Sequence, residues 1–183
     1  MGAPKAWLKF DGRPLLNYLV ERMLTVFPEV VVVSASGQAL PVTDAHAVCD
    51  EHPDEGPLAG LAAGLRAISQ PVAFVSSCDA PFLDPQLARA LVDLADDFDA
   101  VVPEWEGRLQ PLHAVYRATV QPIVVGQLAN GRRRMMDLLG LLQTRVVTHA
   151  ELQRLGAHDY SFWNMNTPEE YQRALELWNT KCA

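Results

Sequence analysis

A buried strand is predicted by the run Val72-Ala73-Phe74-Val75-Ser76-Ser77-Cys78-Asp79-Ala80-Pro81. Its apolar centre has the length of a strand, is partly β-branched and shows no alternation, which is typical of a parallel-sheet strand covered on both faces. Asp79 stands at the carboxyl end of this strand, and Pro81 stops the strand from continuing. Open α/β sheets bind their ligands at that edge. Asp79 is therefore the first candidate for a functional residue.

The carboxylate of Asp79 has two interpretations. A hard cation such as Mg²⁺ takes one or two protein carboxylates and fills its remaining positions with substrate phosphates and water, so one aspartate can suffice. Alternatively, Asp79 only caps a turn or the helix that follows, because Asp-x-Pro also suits turn initiation. The strand alone leaves both interpretations open.

Composition narrows the classes of function. The 183 residues are close to the length of one domain, with 49% hydrophobic and 20% charged residues. The net charge of −7 argues against nucleic-acid binding through a broad basic surface. Three widely separated cysteines suit a reducing compartment better than a disulfide framework. With no signal peptide or membrane-length apolar stretch in the sequence, we expect a cytoplasmic, single-domain protein over 1–183.

Strand and helix patterns alternate along the chain. Helices are predicted at about 14–27, 58–68, 84–95, 119–128, 133–142 and from 168 onward. Strands are predicted at about 29–33, 47–49, 99–103, 111–116 and 145–148, besides the one that precedes Asp79. Thr167-Pro168-Glu169-Glu170 has the pattern of a capping box at the start of the last helix. The alternation predicts a three-layer α/β/α sandwich with a mainly parallel sheet and an antiparallel strand.

Loops at strand carboxyl ends supply the other candidates. Gly56-Pro57-Leu58-Ala59-Gly60 could bring backbone amides close to an anion or a base, or could be a plain helix start. Lys5 could neutralise phosphate charge, although isolated lysines are usually solvated. Asn164 and Asn166 are two apart, so an extended backbone would place both amides on one side. Asp50 could accept hydrogen bonds from a ligand amine or help to hold the metal, or it could serve only the solubility of a polar loop.

Two basic or titratable features are more ambiguous. Arg132-Arg133-Arg134 is typical of a solvated helix start, but could also receive an anionic second substrate. His113 lies in a predicted strand and is interpreted as a structural histidine. Neither feature identifies a reaction by itself.

The order of the motifs is more specific than any one of them. Met1-Gly2-x-Pro4-Lys5, Gly-Pro-Leu-Ala-Gly at 56–60, Cys78-Asp79-x-Pro81, Asn-Gly-Arg-Arg at 130–133 and Asn164-x-Asn166-Thr167-Pro168 follow one another. In this order they resemble the molybdenum cofactor guanylyltransferase family over almost the entire chain. The resemblance implies a Rossmann-like nucleotidyltransferase that joins the GMP part of GTP to molybdenum-carrying molybdopterin, releases pyrophosphate and uses Mg²⁺.

The resemblance also implies roles for particular residues. Lys5 and Asp79 match catalytic positions, and Asp79 matches the magnesium ligand. The positions that match nucleotide contacts are Gly2, Lys5, Ser34, Asp50, Gly56, Leu58, Gly60 and Asp79. The second substrate would meet Asn164, Asn166, Arg132 and Arg133. Ser34 departs from the family, which often has asparagine at that position.

The partners implied by the resemblance are GTP, the molybdopterin cofactor and molybdoenzyme chaperones, with neither nucleic acid nor a membrane. We expect a monomer or a weak oligomer. Three alternatives are a cytidylyltransferase for the same cofactor, a sugar-phosphate nucleotidyltransferase, and a catalytically silent relative that binds a nucleotide or a chaperone. Pyrophosphate release from different nucleoside triphosphates would separate them.

At its amino terminus this sequence is shorter than members of the family. Members begin with a hydrophobic strand and a Leu-Ala-Gly-Gly phosphate loop that ends in Arg-Met-Gly, whereas this sequence starts at that Met-Gly. In the family that strand is central, and an unpaired central position would leave buried backbone groups without partners, at about 1 to 3 kcal/mol each. We therefore expect the working protein to carry about 15 to 20 further residues, as the resemblance implies.

Overall fold

The computed structural model describes residues 4–50 and 56–182. Its strands are β1 (Lys9–Phe10), β2 (Arg13–Pro14), β3 (Val31–Ala35), β4 (His46–Asp50), β5 (Val72–Ser76), β6 (Ala100–Trp105), β7 (Arg108–Leu109), β8 (His113–Arg117) and β9 (Thr144–Val147). Its helices are α1 (Leu15–Leu24), α2 (Pro57–Ala67), α3 (Pro85–Val92), α4 (Gln121–Ala129), α5 (Met135–Leu139), α6 (His149–Arg154) and α7 (Pro168–Cys182). Within these ranges no helix is long and apolar enough to cross a membrane.

Helix starts follow the local chemistry of the sequence. The predicted capping box of α7 is confirmed: the Glu170 amide donates to Thr167 Oγ1 at 3.2 Å, and the Thr167 amide donates to Glu170 Oε2 at 3.0 Å. The Asp84 carboxylate caps α3 by accepting from the Gln86 amide at 2.8 Å. A second capping box, between Thr148 and Glu151, starts α6, which the sequence analysis did not predict.

The larger sheet has the strand order β5-β8-β6, with β9 and β7 also paired to β6. Strand β8 is antiparallel to both β5 and β6, whereas β9 is parallel to β6. The turn from β6 to β7 takes positive φ at Glu106 and Gly107, which suits a tight hairpin turn. The predicted α/β fold with an antiparallel strand in the sheet is confirmed.

Helices cover both faces of this sheet. Along β8, Ala114 and Tyr116 contact the core cluster that contains residues of α2, α4 and α5. Val115 between them contacts the opposite cluster, which contains residues of α3 and α6. Successive strand residues thus pack against different helical layers, because side chains alternate along a strand. The architecture is the predicted three-layer α/β/α sandwich.

Strands β3 and β4 form a separate parallel pair. Between β3 and β5 lies an apolar cavity of about 400 Å³ that is lined by Val31, Val32 and Val33 of β3 and by every residue of β5. Helix α1 contributes to one wall of this cavity and α2 to another. The cavity therefore lies next to the strand that leads to Asp79.

Candidate active site

Asp79 lies just past the carboxyl end of β5, as the sequence predicts. Its side chain is only 17% exposed and forms an ion pair in which Lys5 Nζ lies 2.8 Å from Asp79 Oδ2. The other carboxylate oxygen, Oδ1, accepts a hydrogen bond from the Ser77 hydroxyl. The carboxylate is thus held in one orientation at the edge of the sheet.

Lys5 joins three distant parts of the sequence. Besides Asp79, its ammonium donates to Asn166 Oδ1 at 2.8 Å. Lys5 follows Pro4 at the start of a short helical turn, while Asn166 immediately precedes the cap of α7. Three residues that the sequence analysis selected separately therefore meet in one cluster, which we call the Lys5 cluster: Lys5, Asp79 and Asn166.

The loop before α7 is fixed to the end of β5 through its backbone. The Met165 amide donates to the Asp79 carbonyl at 2.8 Å, and the Asn166 amide donates to Glu170 Oε2 at 2.6 Å. The Met165 side chain is fully buried, which anchors the loop to the core. Asn164 Oδ1 is buried and has no hydrogen-bond partner among the described residues. An acceptor is therefore available one residue before this anchor.

Ser34 and Asp50 lie near the carboxyl ends of the two strands in the separate pair. The parallel register opposes Ser34 to Cys49 and Ala35 to Asp50, so both candidates stand at the same edge of the sheet. Asp50 is 9% exposed. Their predicted contact with a nucleotide agrees with this location and stays a prediction.

The residues of the glycine loop at 56–60 lie in different surroundings. Gly56 has φ of 74° directly before α2, a conformation that favours glycine, and a Cβ there would meet nothing within 4 Å. Gly60 lines the cavity between β3 and β5. The Leu58 side chain is fully buried in the core, so only its backbone is left to meet a nucleotide. Gly2 lies outside the described residues.

Arg132 and Arg133 lie in the exposed loop between α4 and α5. Helix α5 begins at Met135, so these arginines precede the helix instead of forming its first turn. Their predicted contact with a second substrate stays a prediction.

Burial controls the protonation of two groups near Asp79. Burial raises the pKa of the Cys78 thiol to about 11. The negative charge of Asp79 also raises this pKa, and the positive charge of Lys5 lowers it by a smaller amount. Burial lowers the pKa of His113 from 6.5 to about 4, which the charge of Asp79 only partly offsets. Cys78 is therefore a protonated thiol and His113 a neutral imidazole at neutral pH.

His113 should make stability depend on pH. Between pH 6.5 and 4 this imidazole is protonated in the unfolded chain but stays largely neutral in the folded chain. The free energy of unfolding therefore decreases as the pH falls. The difference corresponds to roughly 3 kcal/mol of unfolding free energy at pH 4. Urea unfolding at pH 7 and pH 4 measures it.

The control for this prediction uses an exposed histidine. His113→Gln should remove most of the loss between pH 7 and pH 4, whereas His46→Gln at an exposed position should keep it. An unchanged pH dependence in His113→Gln would show that other groups cause the acid sensitivity.

The described residues contain no group of three or more histidine, cysteine, aspartate or glutamate side chains that could hold a metal by themselves. Asp79 is nevertheless a suitable ligand, because each carboxylate oxygen has two lone pairs and uses one here, on Lys5 or on Ser77. A cation that takes one protein carboxylate and several phosphate oxygens fits this donor set.

Sequence reasoning missed Ser77, the hydroxyl donor to Asp79. Its signal was present, because Ser77 lies two residues before the carboxylate at the end of a strand, where hydroxyls commonly bond to nearby groups. The two residues belong to the same short connection after β5, which explains why they meet.

Comparison with known proteins identifies the family. Residues 1–148 match the MobA-like NTP transferase domain. A probable molybdenum cofactor guanylyltransferase from Natronomonas pharaonis is 34% identical over 90% of this chain and 85% of its own length. A second relative, the molybdenum cofactor guanylyltransferase from Desulfosudis oleivorans, is 29% identical over 94% of this chain and 86% of its own length.

A solved structure supports the same fold. The molybdopterin-guanine dinucleotide biosynthesis protein A from Archaeoglobus fulgidus superposes with a TM-score of 0.82 and covers 98% of this chain and 92% of its own, at 24% identity. Three observations agree with one another: the strand that leads to Asp79, the helices that cover both faces of the sheet, and the family match over residues 1–148. The chain is a nucleotidyltransferase and belongs to the MobA-like NTP transferase domain family.

Proposed function

We propose that this chain transfers GMP from GTP to the molybdenum-molybdopterin cofactor and releases pyrophosphate, which forms the guanine dinucleotide cofactor. The Lys5 cluster carries the proposal, because it places an ammonium beside a carboxylate at the ligand-binding edge of the sheet. Relatives that match at least nine-tenths of the chain are named for this activity.

The proposed reaction is a direct substitution at phosphorus. A terminal phosphate oxygen of molybdopterin attacks the α-phosphorus of GTP and forms a new P–O bond, while the bond to the bridging oxygen of the β-phosphate breaks. The electron pair of that bond leaves with pyrophosphate. Positioning and charge neutralisation supply most of the catalysis in such reactions, so no covalent enzyme intermediate is required. The protonated Cys78 thiol is consistent with this scheme, since the thiolate is the nucleophilic form.

Lys5 would neutralise the charge that develops on the leaving pyrophosphate. The Lys5 side chain is 35% exposed, so an incoming phosphate can reach it from solvent. The same ammonium is held by Asp79 and Asn166 at 2.8 Å each, which fixes its position. A cation that is already in place stabilises the transition state without reorganising during the reaction.

Asp79 would hold a Mg²⁺ ion with its remaining lone pairs. When bound, the ion supplies Lewis-acid stabilisation of phosphate charge. The Ser77 hydroxyl keeps the carboxylate oriented, and Met165 fixes its backbone.

The remaining candidates, together with Asn166, divide into two groups by the substrate that they would bind. Ser34 and Asp50 at the ends of β3 and β4, together with Gly2 and the loop 56–60, would bind the nucleotide. The second substrate would contact Asn164, Asn166 and the arginines at 132 and 133. The buried, unpartnered Asn164 Oδ1 supports an acceptor role toward a ring amine.

GTP and molybdopterin are the proposed substrates of a cytoplasmic enzyme that acts as a monomer or weak oligomer. Molybdoenzyme chaperones are the proposed recipients of the product. Three scattered cysteines are compatible with a reducing compartment.

Pyrophosphate release tests the proposed function. We expect release from GTP only when molybdopterin and Mg²⁺ are both present, with CTP, ATP and UTP at least about 100-fold slower, because a site that hydrogen-bonds one base leaves buried groups unpaired with another. Preference for CTP would favour a cytidylyltransferase. Release only with a sugar phosphate would favour a sugar-phosphate nucleotidyltransferase, and no release with any nucleotide would favour a binding protein.

A further inference from the structure

His113 is a buried histidine at the edge of the sheet where Asp79 lies. It is the first residue of β8 and stands opposite Ser76, the last residue of β5, in the antiparallel register. Burial lowers the pKa of His113 and the charge of Asp79 opposes this effect, so the two side chains interact. The imidazole therefore belongs to the surroundings of the Lys5 cluster.

The His113 side chain points toward the helical layer of α3 and α6. Ala114 and Tyr116 pack against the other layer, so the alternation along β8 places His113 on the same side as Val115. The imidazole lies 5.8 Å from the ring of Phe162, a member of the cluster that contains Val115. His113 thus lies between the end of β5 and the loop that carries Phe162.

The Nε2 atom of His113 has an unused capacity for hydrogen bonding. The residue is 2% exposed, and its Nε2 atom is buried without a hydrogen-bond partner among the residues that the structure describes. Buried polar atoms nearly always have a partner, so one that lacks it needs an explanation, and a role in the reaction is one of the known explanations.

A second buried atom without a partner belongs to the loop that carries Phe162. This atom is Asn164 Oδ1, and the loop is fixed to the Asp79 carbonyl by the Met165 amide. His113 and Asn164 therefore belong to two elements that meet at Asp79, since β8 pairs with β5 and the loop is bonded to the residue itself.

The location of His113 favours the second substrate over the nucleotide. The nucleotide candidates Ser34 and Asp50 belong to the separate pair of β3 and β4, whereas His113 belongs to the sheet of β5 and contacts the loop of Asn164. In the proposed reaction the terminal phosphate of the second substrate comes closest to Asp79, because it attacks the α-phosphorus. A phosphate oxygen accepts hydrogen bonds, and a neutral imidazole offers one N–H donor.

We propose that His113 binds the second substrate: its Nε2–H group donates a hydrogen bond to a non-attacking oxygen of the terminal phosphate and orients that phosphate toward GTP. Because Nε2 is closed off from solvent, the phosphate reaches it only after the Phe162 ring shifts, and side-chain shifts of this kind are common on binding. The identity of the substrate rests on the proposed function, but every phosphate-monoester acceptor offers the same oxygen.

Steady-state kinetics with each substrate varied in turn test the proposal. His113→Leu removes the donor and should lower kcat/KM for molybdopterin at least about tenfold, as for one lost hydrogen bond to a charged group, while KM for GTP stays within about twofold. His113→Gln keeps an amide donor near the position of Nε2 and should retain at least about a third of the wild-type value. The urea midpoint of His113→Leu at pH 7 should not fall, because leucine removes a buried donor that has no partner.

His149 provides the matched control, because it packs in the same group of rings. Its ring stacks on Trp105 with the centroids 4.0 Å apart, and Trp105 contacts Phe162. His149→Leu should keep kcat/KM for molybdopterin within about twofold. A loss as large as that of His113→Leu would assign the effect to the packing of the rings and overturn the proposal.

A binding measurement without turnover separates this proposal from the proposed function. In protein with ¹⁵N-labelled histidine, the His113 ring signals are assigned by their loss in His113→Gln. Titration with molybdopterin in the absence of nucleotide should shift the Nε2 signal and show the proton on Nε2, whereas the signals of the exposed His46 should not move. This shift should occur whichever nucleotide the protein uses.

Three results would overturn the proposal. The first is a folded His113→Leu protein with kcat/KM for molybdopterin within about twofold of wild type. The second is a lower urea midpoint with equal losses for both substrates, the result expected of a purely structural histidine. The third is a His113 signal that molybdopterin leaves unchanged. A shifted signal in a protein that releases no pyrophosphate from GTP would instead reject the proposed function and keep the binding role of His113.

Discussion

Asp79→Asn should reduce the rate of GMP transfer by at least about 1,000-fold, because an amide keeps the shape of the side chain but removes the charge needed to hold a cation. The substitution also removes the charged partner of the Lys5 ammonium. That pair is partly solvated, so its loss should change the free energy of unfolding by no more than about 1 kcal/mol. Pyrophosphate release at saturating GTP, with urea unfolding of the same sample, measures both effects.

A neighbouring aspartate provides the control for this prediction. Asp84 accepts a backbone hydrogen bond at the start of α3 and does not belong to the Lys5 cluster. Asp84→Ala should lower stability by about 1 kcal/mol and leave the rate within about twofold. Full activity of Asp79→Asn with normal stability would remove Asp79 from the proposed mechanism.

Lys5→Met should lower kcat by roughly 100-fold while preserving most of the packing of the aliphatic stem. The loss should appear mainly in kcat, because the ammonium is proposed to stabilise charge that develops during the reaction. Steady-state kinetics with GTP as the varied substrate separate kcat from KM.

Lys9 is the matched control, since it is an exposed lysine in β1 a few residues away. Lys9→Met should keep both constants within about twofold, as expected for a solvated surface lysine. If Lys5→Met changed only KM, the ammonium would contribute to ground-state binding and not to transition-state stabilisation.

The elements that the sequence predicted best have strong local signals. The strand before Asp79 is a continuous apolar run, and the capping box of α7 satisfies its own backbone groups, so both form where expected. Strand β8 was also predicted, but its position between β5 and β6 depends on pairing across the sheet. Hydrophobic periodicity contains no information on that order.

The candidate site was only partly predictable for a similar reason. Lys5, Asp79 and Asn166 were each selected, yet their contacts join residues 74 and 161 positions apart, and no local pattern measures such distances. Ser77 was missed although it lies next to the strand end. Leu58 was grouped with nucleotide contacts because of the glycines around it, whereas its side chain belongs to the core.

The proposed mechanism requires that the Lys5 cluster receive the triphosphate of GTP. A crystal structure of the protein with Mg²⁺ and a GTP analogue that cannot be cleaved between the α- and β-phosphates would show whether it does. We predict a metal ion on the Asp79 carboxylate and a phosphate oxygen within about 3 Å of Lys5 Nζ, the range of a charge-assisted hydrogen bond. A nucleotide bound at another edge of the sheet, with Lys5 still paired to Asp79, would rule out this role of the Lys5 cluster.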